Sequence, residues 1–303
     1  MPALTATTPQ SPWDLPALSH CAQAAWPGIA LQWLASIDST NSELMRRAAN
    51  GQQQPCVLLA QEQTAGKGRL GKPWHMQSGQ ALALSIGLPL APRDWSGLSL
   101  VVGLAVVSAL SQWARQAGAA PEHMAAQRLG LKWPNDVWLM GADGQGQKMA
   151  GILIETVSHA AAVMAAPQSA ASAARYVVIG MGLNLKPQDL QDTSVPPANV
   201  QDWAGVAVNP QDLLAHLIAA VLPAVQQFER EGFAAYQSAF SAWDLLAGRA
   251  VRLSDGRVGD CLGVDAQGEL LLALDGEVVQ ITSGEVSVRP LPGAGGDHTV
   301  KGV

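Results

Sequence analysis

Cysteine, positive charge and long apolar runs are all scarce in this chain, and each scarcity removes a class of function. The three cysteines among 303 residues, Cys21, Cys56 and Cys261, lie far apart, with no CxxC pair and no histidine cluster. That spacing excludes a disulfide framework and a zinc site, and it fits a reducing cytoplasm. Lys and Arg number 18 against 24 Asp and Glu, a net charge of -6. Phosphate neutralisation dominates nucleic-acid binding, so no nucleic-acid partner is expected. The most apolar segment, Leu98 to Ala114, is broken by Ser99, Gly103, Ser108, Ser111 and Gln112. It falls short of the roughly 18 consecutive apolar residues of a membrane span and reads as a buried helix capped by Ser96. Met1 to Ala30 has no basic stretch followed by an apolar one, so a signal peptide is not expected and the segment reads as an irregular arm.

What the chain does contain is enough apolar material, 48% hydrophobic against 14% charged residues, for one substantial core and a small second domain. Leu31 to Ile37, Cys56 to Gln61, Ala81 to Leu88, Val137 to Met140, Met149 to Val157 and Tyr176 to Leu185 have the short apolar pattern of strands. Helices are expected over Asn41 to Ala49, near Leu98 to Gln116, and from Pro210, with Asn209 as cap, to about Phe240. The order indicates an α+β fold with a mixed sheet. His159 to Ala174 is Ala-rich and reads as a surface insertion. After Trp243 four short strands separated by Ser254-Asp255-Gly256, Asp265 to Gly268 and Asp275-Gly276 indicate a small β-barrel. The expected division is an arm over 1–30, a main unit over 31–244, a barrel over 245–290 and a tail over 291–303.

Gln63 to Trp74 contains both GxGxxG (Gly66, Gly68, Gly71) and GxxxxGK (Gly66 to Lys72). A phosphate loop needs Ser or Thr after the lysine and a helix N-terminus behind it; here Pro73 follows, and the next periodic run is a strand. The segment therefore reads as a flexible strand-to-strand loop bearing Lys67, Arg69 and Lys72 and ending in Trp74. Such a loop suits an anionic ligand with an aromatic base and orders when that ligand binds.

Four further segments each have an ordinary and a functional reading. Thr40 and Glu43 fit a capping box, while the hydroxyls and amide of Ser39, Thr40 and Asn41 at a helix start also suit a small polar head group. Lys132-Trp133-Pro134-Asn135-Asp136 is turn chemistry, or a cation, amide and carboxylate converging on one site. Lys148, at the mouth of an apolar strand, is an edge gatekeeper or a site cation. Gly180-Met181-Gly182-Leu183-Asn184 is a bulge or a place of close backbone approach to a ligand.

Taken together and in this order, the five segments resemble the bacterial biotin-protein ligase family, from about Leu31 to the end of the barrel. The resemblance implies a class II synthetase-like catalytic domain followed by an SH3-like barrel. The form it implies is monofunctional, since the residues before Leu31 are too few and too uncharged for a DNA-binding domain. It implies that biotin is contacted by Ser39, Thr40, Asn41, Gln63, Lys67, Gly68, Arg69 and Lys148. Trp74, Asn135, Asp136 and Asn184 fall to the adenylate, and Arg69 and Lys148 carry the catalytic charge. ATP and biotin are then substrates, Mg²⁺ accompanies the pyrophosphate, and the partner is a biotin carboxyl carrier protein. A cytoplasmic location and a homodimer are compatible with this family. The chain departs from the family loop in having Lys67, Leu70 and Lys72 where arginine is usual, which removes the bidentate fork but keeps charge at two of the three positions. A lipoate-protein ligase shares the fold and chemistry; a biotin-responsive noncatalytic regulator is the rival of another class.

Overall fold

The computed structural model describes residues 11–158, 174–190, 195–282 and 288–291. The first element is α1 (Leu15–Ala25), followed by β1 (Ala30–Leu34), α2 (Thr40–Ala49), β2 (Cys56–Ala60) and β3 (Ala81–Leu90). Then come α3 (Leu98–Gln116), α4 (Pro121–Ala125), β4 (Arg128–Lys132), β5 (Asp136–Met140), β6 (Gly146–Ser158) and β7 (Arg175–Asn184). Helices α5 (Val200–Ala204), α6 (Pro210–Glu231) and α7 (Gln237–Trp243) lead to β8 (Ala250–Leu253), β9 (Val258–Val264), β10 (Leu270–Leu274), β11 (Glu277–Ile281) and β12 (Val288–Pro290).

Strands β1 to β7 form one sheet in the order β1-β2-β3-β7-β6-β5-β4. Only the β1–β2 pair is parallel; every other pairing is antiparallel. The period-2 alternation of each strand divides its side chains between two layers. On one face Leu58 and Val178 pack with Leu44 and Ala48 of α2 and with Tyr176. On the other, Val57, Leu59, Val177 and Ile179 join the large core with α3 and α6. With both faces covered, β3 reads as a continuous apolar run interrupted by Ser85, which is itself fully buried. Helix α3 is apolar around most of its circumference because it is a core helix: it is long and apolar enough to cross a membrane, yet 72% of that window is buried inside the protein.

Several expectations need correction. The segment before Leu31 is not an irregular arm over 15–25: α1 is capped by Asp14, and Leu18 and Ala22, four residues apart, are buried in the core beside α6. Helix α3 is preceded by Gly97, with φ 79, rather than capped by Ser96, and a side chain at 97 would run into Phe233. Asn209 and Pro210 begin α6 as expected, but Gly232 (φ 70) ends it at Glu231 and a separate α7 follows. Strand β4 was not anticipated. Its central Gly130 weakens the pattern, and it is required because the backbone of Trp243 passes where a Cβ would stand, 2.5 Å from its carbonyl oxygen. The Ala-rich stretch lies outside the described residues over 159–173, as does the tail from 292.

The C-terminal strands form a second, wholly antiparallel sheet, β11-β10-β9-β8-β12, around Val251, Leu253, Cys261, Leu270, Leu272 and Val288. Its β10–β11 turn is Asp275 (φ 51) and Gly276 (φ 87), a two-residue hairpin in which both residues take positive φ. The segment that leads from α7 into this sheet is tied to β4, where Leu245 N donates to Leu131 O at 3.0 Å.

Candidate active site

The start of α2 faces the middle of β3, β6 and β7, and a cleft of about 440 Å³, its open mouth included, lies there. The helix is capped by Ser39, whose side chain accepts from Ser42 N, so the expected Thr40–Glu43 capping box is not formed. Glu43 instead pairs with Arg46 and Arg47 on the outer face. This releases Thr40 for the cleft: its N–H and its hydroxyl both donate to Gln63 Oε1, at 2.8 and 3.0 Å. Asn41 Nδ2 donates to Glu155 Oε2 at 2.8 Å, and Ser85 Oγ lies 2.8 Å from Thr40 Oγ1 and 2.7 Å from Asn41 Oδ1. With a single proton, Ser85 serves one of these two acceptors at a time. The wall is completed by glycine. A Cβ at Gly180 would run into the Asn41 amide, and one at Gly182 into the indole of Trp74.

Beyond this polar end lies a group of cations around one carboxylate. Lys148 Nζ forms an ion pair with Asp136 Oδ1 at 2.7 Å, and Asp136 Oδ2 accepts from Lys132 Nζ at 3.5 Å. Burial pushes the Asp136 carboxyl upward, but the two ammonium groups outweigh it and hold the group below its usual range. Burial acts on Lys132, 6% exposed, in the opposite sense and lowers it despite Asp136. Lys132 also lies over Trp138 at 5.0 Å, and Lys148 over Trp74 at 5.8 Å from the ring centre. Arg69 Nη1 donates to Asn135 Oδ1 at 3.2 Å, and Asn135 Nδ2 donates to Ile152 O at 2.7 Å.

The loop between β2 and β3 covers this end. It is folded on itself: Trp74 N donates to Gly66 O at 2.9 Å and Gly68 N to Lys72 O at 2.7 Å, with a bridge between Lys67 and Pro73. At its tip Leu70, with φ 56, and Gly71, with φ 70, turn the chain. Leu70 is 59% exposed. The Trp74 indole N–H is buried and has no partner among the described residues.

Every residue expected at the site lines this cleft or a larger one, about 2230 Å³ including its open mouth, that continues from it. Ser39, Thr40, Asn41, Gln63 and Lys67 belong to the first cleft alone, Asp136 and Asn184 to the second alone. Gly68, Arg69, Trp74, Asn135 and Lys148 line both and so mark their junction. Asn184 is committed to backbone, donating to Lys148 O at 3.2 Å and Ala198 O at 3.0 Å, so its amide ties β7 to β6 and the following loop. Val288, Arg289 and Pro290 of β12 also reach the second cleft. Sequence reasoning assigned no role to Ser85 and Glu155, and read Lys132 as the cation of the Lys132–Asp136 segment without placing it among the site residues. The available signal was a polar residue inside an otherwise apolar strand, which describes Ser85 and Glu155 directly.

Comparison with known proteins places this geometry. Residues 33–166 match the biotin/lipoate A/B protein ligase family, and residues 247–289 match the biotin protein ligase C terminal domain. The bifunctional ligase/repressor BirA of Escherichia coli (strain K12) is 32% identical over 266 residues, 84% of this chain and 73% of that protein. The biotin--[acetyl-CoA-carboxylase] ligase of Paracoccus denitrificans is 32% identical over 250 residues, 79% of this chain and 92% of the relative. In fold, the chain resembles the biotin protein ligase from Aquifex aeolicus in complex with biotin and ATP, with TM-score 0.67 and 24% identity over 86% of this chain and 99% of that one. On both its sequence and its two matched regions, the chain belongs to the biotin protein ligase family.

Proposed function

We infer that this chain joins biotin to ATP as biotinyl-5'-AMP and then passes the biotinyl group to a lysine of a biotin carboxyl carrier protein. The observation that carries the reading is the junction of two clefts. One ends in the hydroxyls and amides of Ser39, Thr40, Asn41 and Gln63, suited to a small head group; the other adds Lys132 and Asp136 to the Arg69 and Lys148 that line both. A lipoate ligase is the nearer rival, and the match of residues 247–289 to a biotin protein ligase C-terminal domain favours biotin.

In the first step a biotin carboxylate oxygen attacks the α-phosphorus of ATP and pyrophosphate leaves. Two anions must approach, so cations at the junction neutralise them, and we assign that work to Arg69 and Lys148. Ser39, Thr40, Asn41, Gln63, Lys67 and Gly68 would hold biotin, and Trp74, Asn135 and Asp136 the adenylate. Asn184 would act by fixing the backbone behind them. Asp136, the carboxylate lining the second cleft, is committed to two lysines, so Mg²⁺ fits best as a companion of the nucleotide held mainly by its phosphates. In the second step the acceptor ε-amine attacks the acyl carbon, AMP leaves, and an amide forms. The mixed anhydride is sensitive to water, which gives the covering loop a protective role.

The test is pyrophosphate release that requires both biotin and ATP, followed by label transfer to a carrier domain, with lipoate run in parallel. No release with biotin, or release with lipoate alone, would sink the assignment. The loop gives a second expected result. Lys67 is exposed at its base, and trypsin should cut after Lys67 and Arg69 more slowly once biotin and ATP are added, because a ligand-bound loop opens less often. Equal cutting rates at saturating ligand would remove the loop from this role.

A further inference from the structure

Trp133 has no exposed surface and lines neither cleft. It stands in the turn between β4 and β5, and its indole N–H donates to the carbonyl of Gly268 at 3.0 Å, in the turn between β9 and β10. This hydrogen bond ties the β4–β5 turn of the main sheet to the β9–β10 turn of the second. The receiving turn is seated in the main domain. Gly268 has φ 81, and a Cβ on it would lie 2.9 Å from Gly97 Cα and 3.1 Å from Leu100 Cδ1. Asp265 Oδ1 holds the turn in shape by accepting from Gln267 N and Glu269 N, each at 2.9 Å.

On its other side Trp133 leads directly into the site. The Pro134 carbonyl accepts from Ser99 Oγ at 2.8 Å; Asn135 then receives Arg69, and Asp136 receives Lys148. The partners of both proposed catalytic cations thus belong to a turn held from α3 at one point and from the C-terminal sheet at another. If Trp133 only filled space, a phenyl ring would serve and the N–H would be superfluous. A buried N–H aimed at a carbonyl instead fixes the rotation of the ring, since any other placement leaves the donor without a partner.

We propose that Trp133 is a positioning residue through which the β9–β10 turn of the C-terminal sheet sets Asn135 and Asp136, and through them Arg69 and Lys148. The proposal rests on the functional reading above. It makes the second sheet part of the adenylation apparatus through the back of the site, with no C-terminal atom needed at the reacting centre.

The experiment uses the full chain carrying Trp133→Phe, Gly268→Ala, or both, with Asp265→Ala as a milder change that loosens the turn without entering the core. Three quantities are read on protein shown to be folded: biotin affinity, KM for ATP and kcat of pyrophosphate release. Trp133→Phe and Gly268→Ala should each lower kcat/KM for ATP by about tenfold or more, the scale expected when reacting groups are slightly misplaced. Asp265→Ala should act in the same direction. Biotin affinity should fall clearly less than kcat/KM for ATP, because Thr40, Asn41 and Gln63 are held independently of this turn while Arg69 and Lys148 are not. The double variant should be no worse than the poorer single one, as both break the same contact. Unchanged ATP kinetics in the folded variants, or equal losses toward biotin and ATP, would overturn the proposal. If Trp133→Phe and Gly268→Ala do not fold, Asp265→Ala decides alone on the same criteria. Wild-type pyrophosphate release is the control for the functional reading, so the two failures are distinguishable.

Discussion

Lys148→Ala is expected to slow formation of biotinyl-5'-AMP by about 10²-fold or more, the usual loss when one charge-stabilising donor is removed from a preorganised site. Lys148 lies where the two clefts meet, its side chain 31% exposed and its ammonium 2.7 Å from Asp136. The carboxylate fixes the ammonium before any ligand arrives, and such preorganisation makes a cation effective in the transition state. Arg69→Ala should act in the same way and to a comparable extent, since Arg69 is held by Asn135 on the same turn. The measurement is single-turnover pyrophosphate release with saturating biotin and ATP. A rate near that of the wild type in a correctly folded Lys148→Ala protein would show that the charge stabilising the phosphorus oxygens comes from elsewhere.

Asp136→Asn should destabilise the protein by about 3–5 kcal/mol near neutral pH, the cost typical of removing one partner from a buried ion pair. The change leaves Lys132 buried with no counter-charge among the described residues, apart from the face of Trp138. The pH dependence has a definite sign. The Asp136 carboxyl is held below its ordinary value of 3.8, so its contribution is complete above that value and is lost as pH falls through the lower, folded one. The gap between wild type and variant should therefore narrow on acidification below 3.8. Denaturant unfolding at about pH 5 and about pH 2.5 brackets that window. A gap that widens over this range, or one near zero at pH 5, would mean that the two lysines do not depend on Asp136.

Much of the main sheet was legible because its strands are apolar, short and bounded by turns, and their alternation survives burial on both faces. Strand β4 escaped because Gly130 answers to a neighbouring backbone rather than to strand propensity. Helix α1 escaped because its buried face consists of little more than Leu18 and Ala22. The site was legible as a set of segments. Which atom of each segment meets which was not, because those contacts are made between elements far apart in sequence. Ser39 rather than Thr40 caps α2 since Thr40 has a tertiary partner in Gln63, 23 positions away. Ser85 and Glu155 gain their places only when β3 and β6 are set opposite Asn41. Lys132 was open to a turn reading and a site reading until β5 and β6 brought Asp136 and Lys148 to it.

The glycines of β7 bear on any attempt to redesign what this protein accepts. At positions 180 and 182 the strand already presents only hydrogen toward Asn41 and Trp74, so there is nothing further to trim on that side. Room for a bulkier analogue of the natural ligand has to be cut from the facing wall, by shortening Asn41 or replacing Trp74. The first would leave Glu155 without its amide donor, and the second would remove the ring beneath Lys148. Where the room is cut from Trp74, broadened tolerance is thus tied to the setting of Lys148, the cation proposed for the reacting centre, and such a variant should trade turnover for breadth unless a new partner for Lys148 is supplied with the same change.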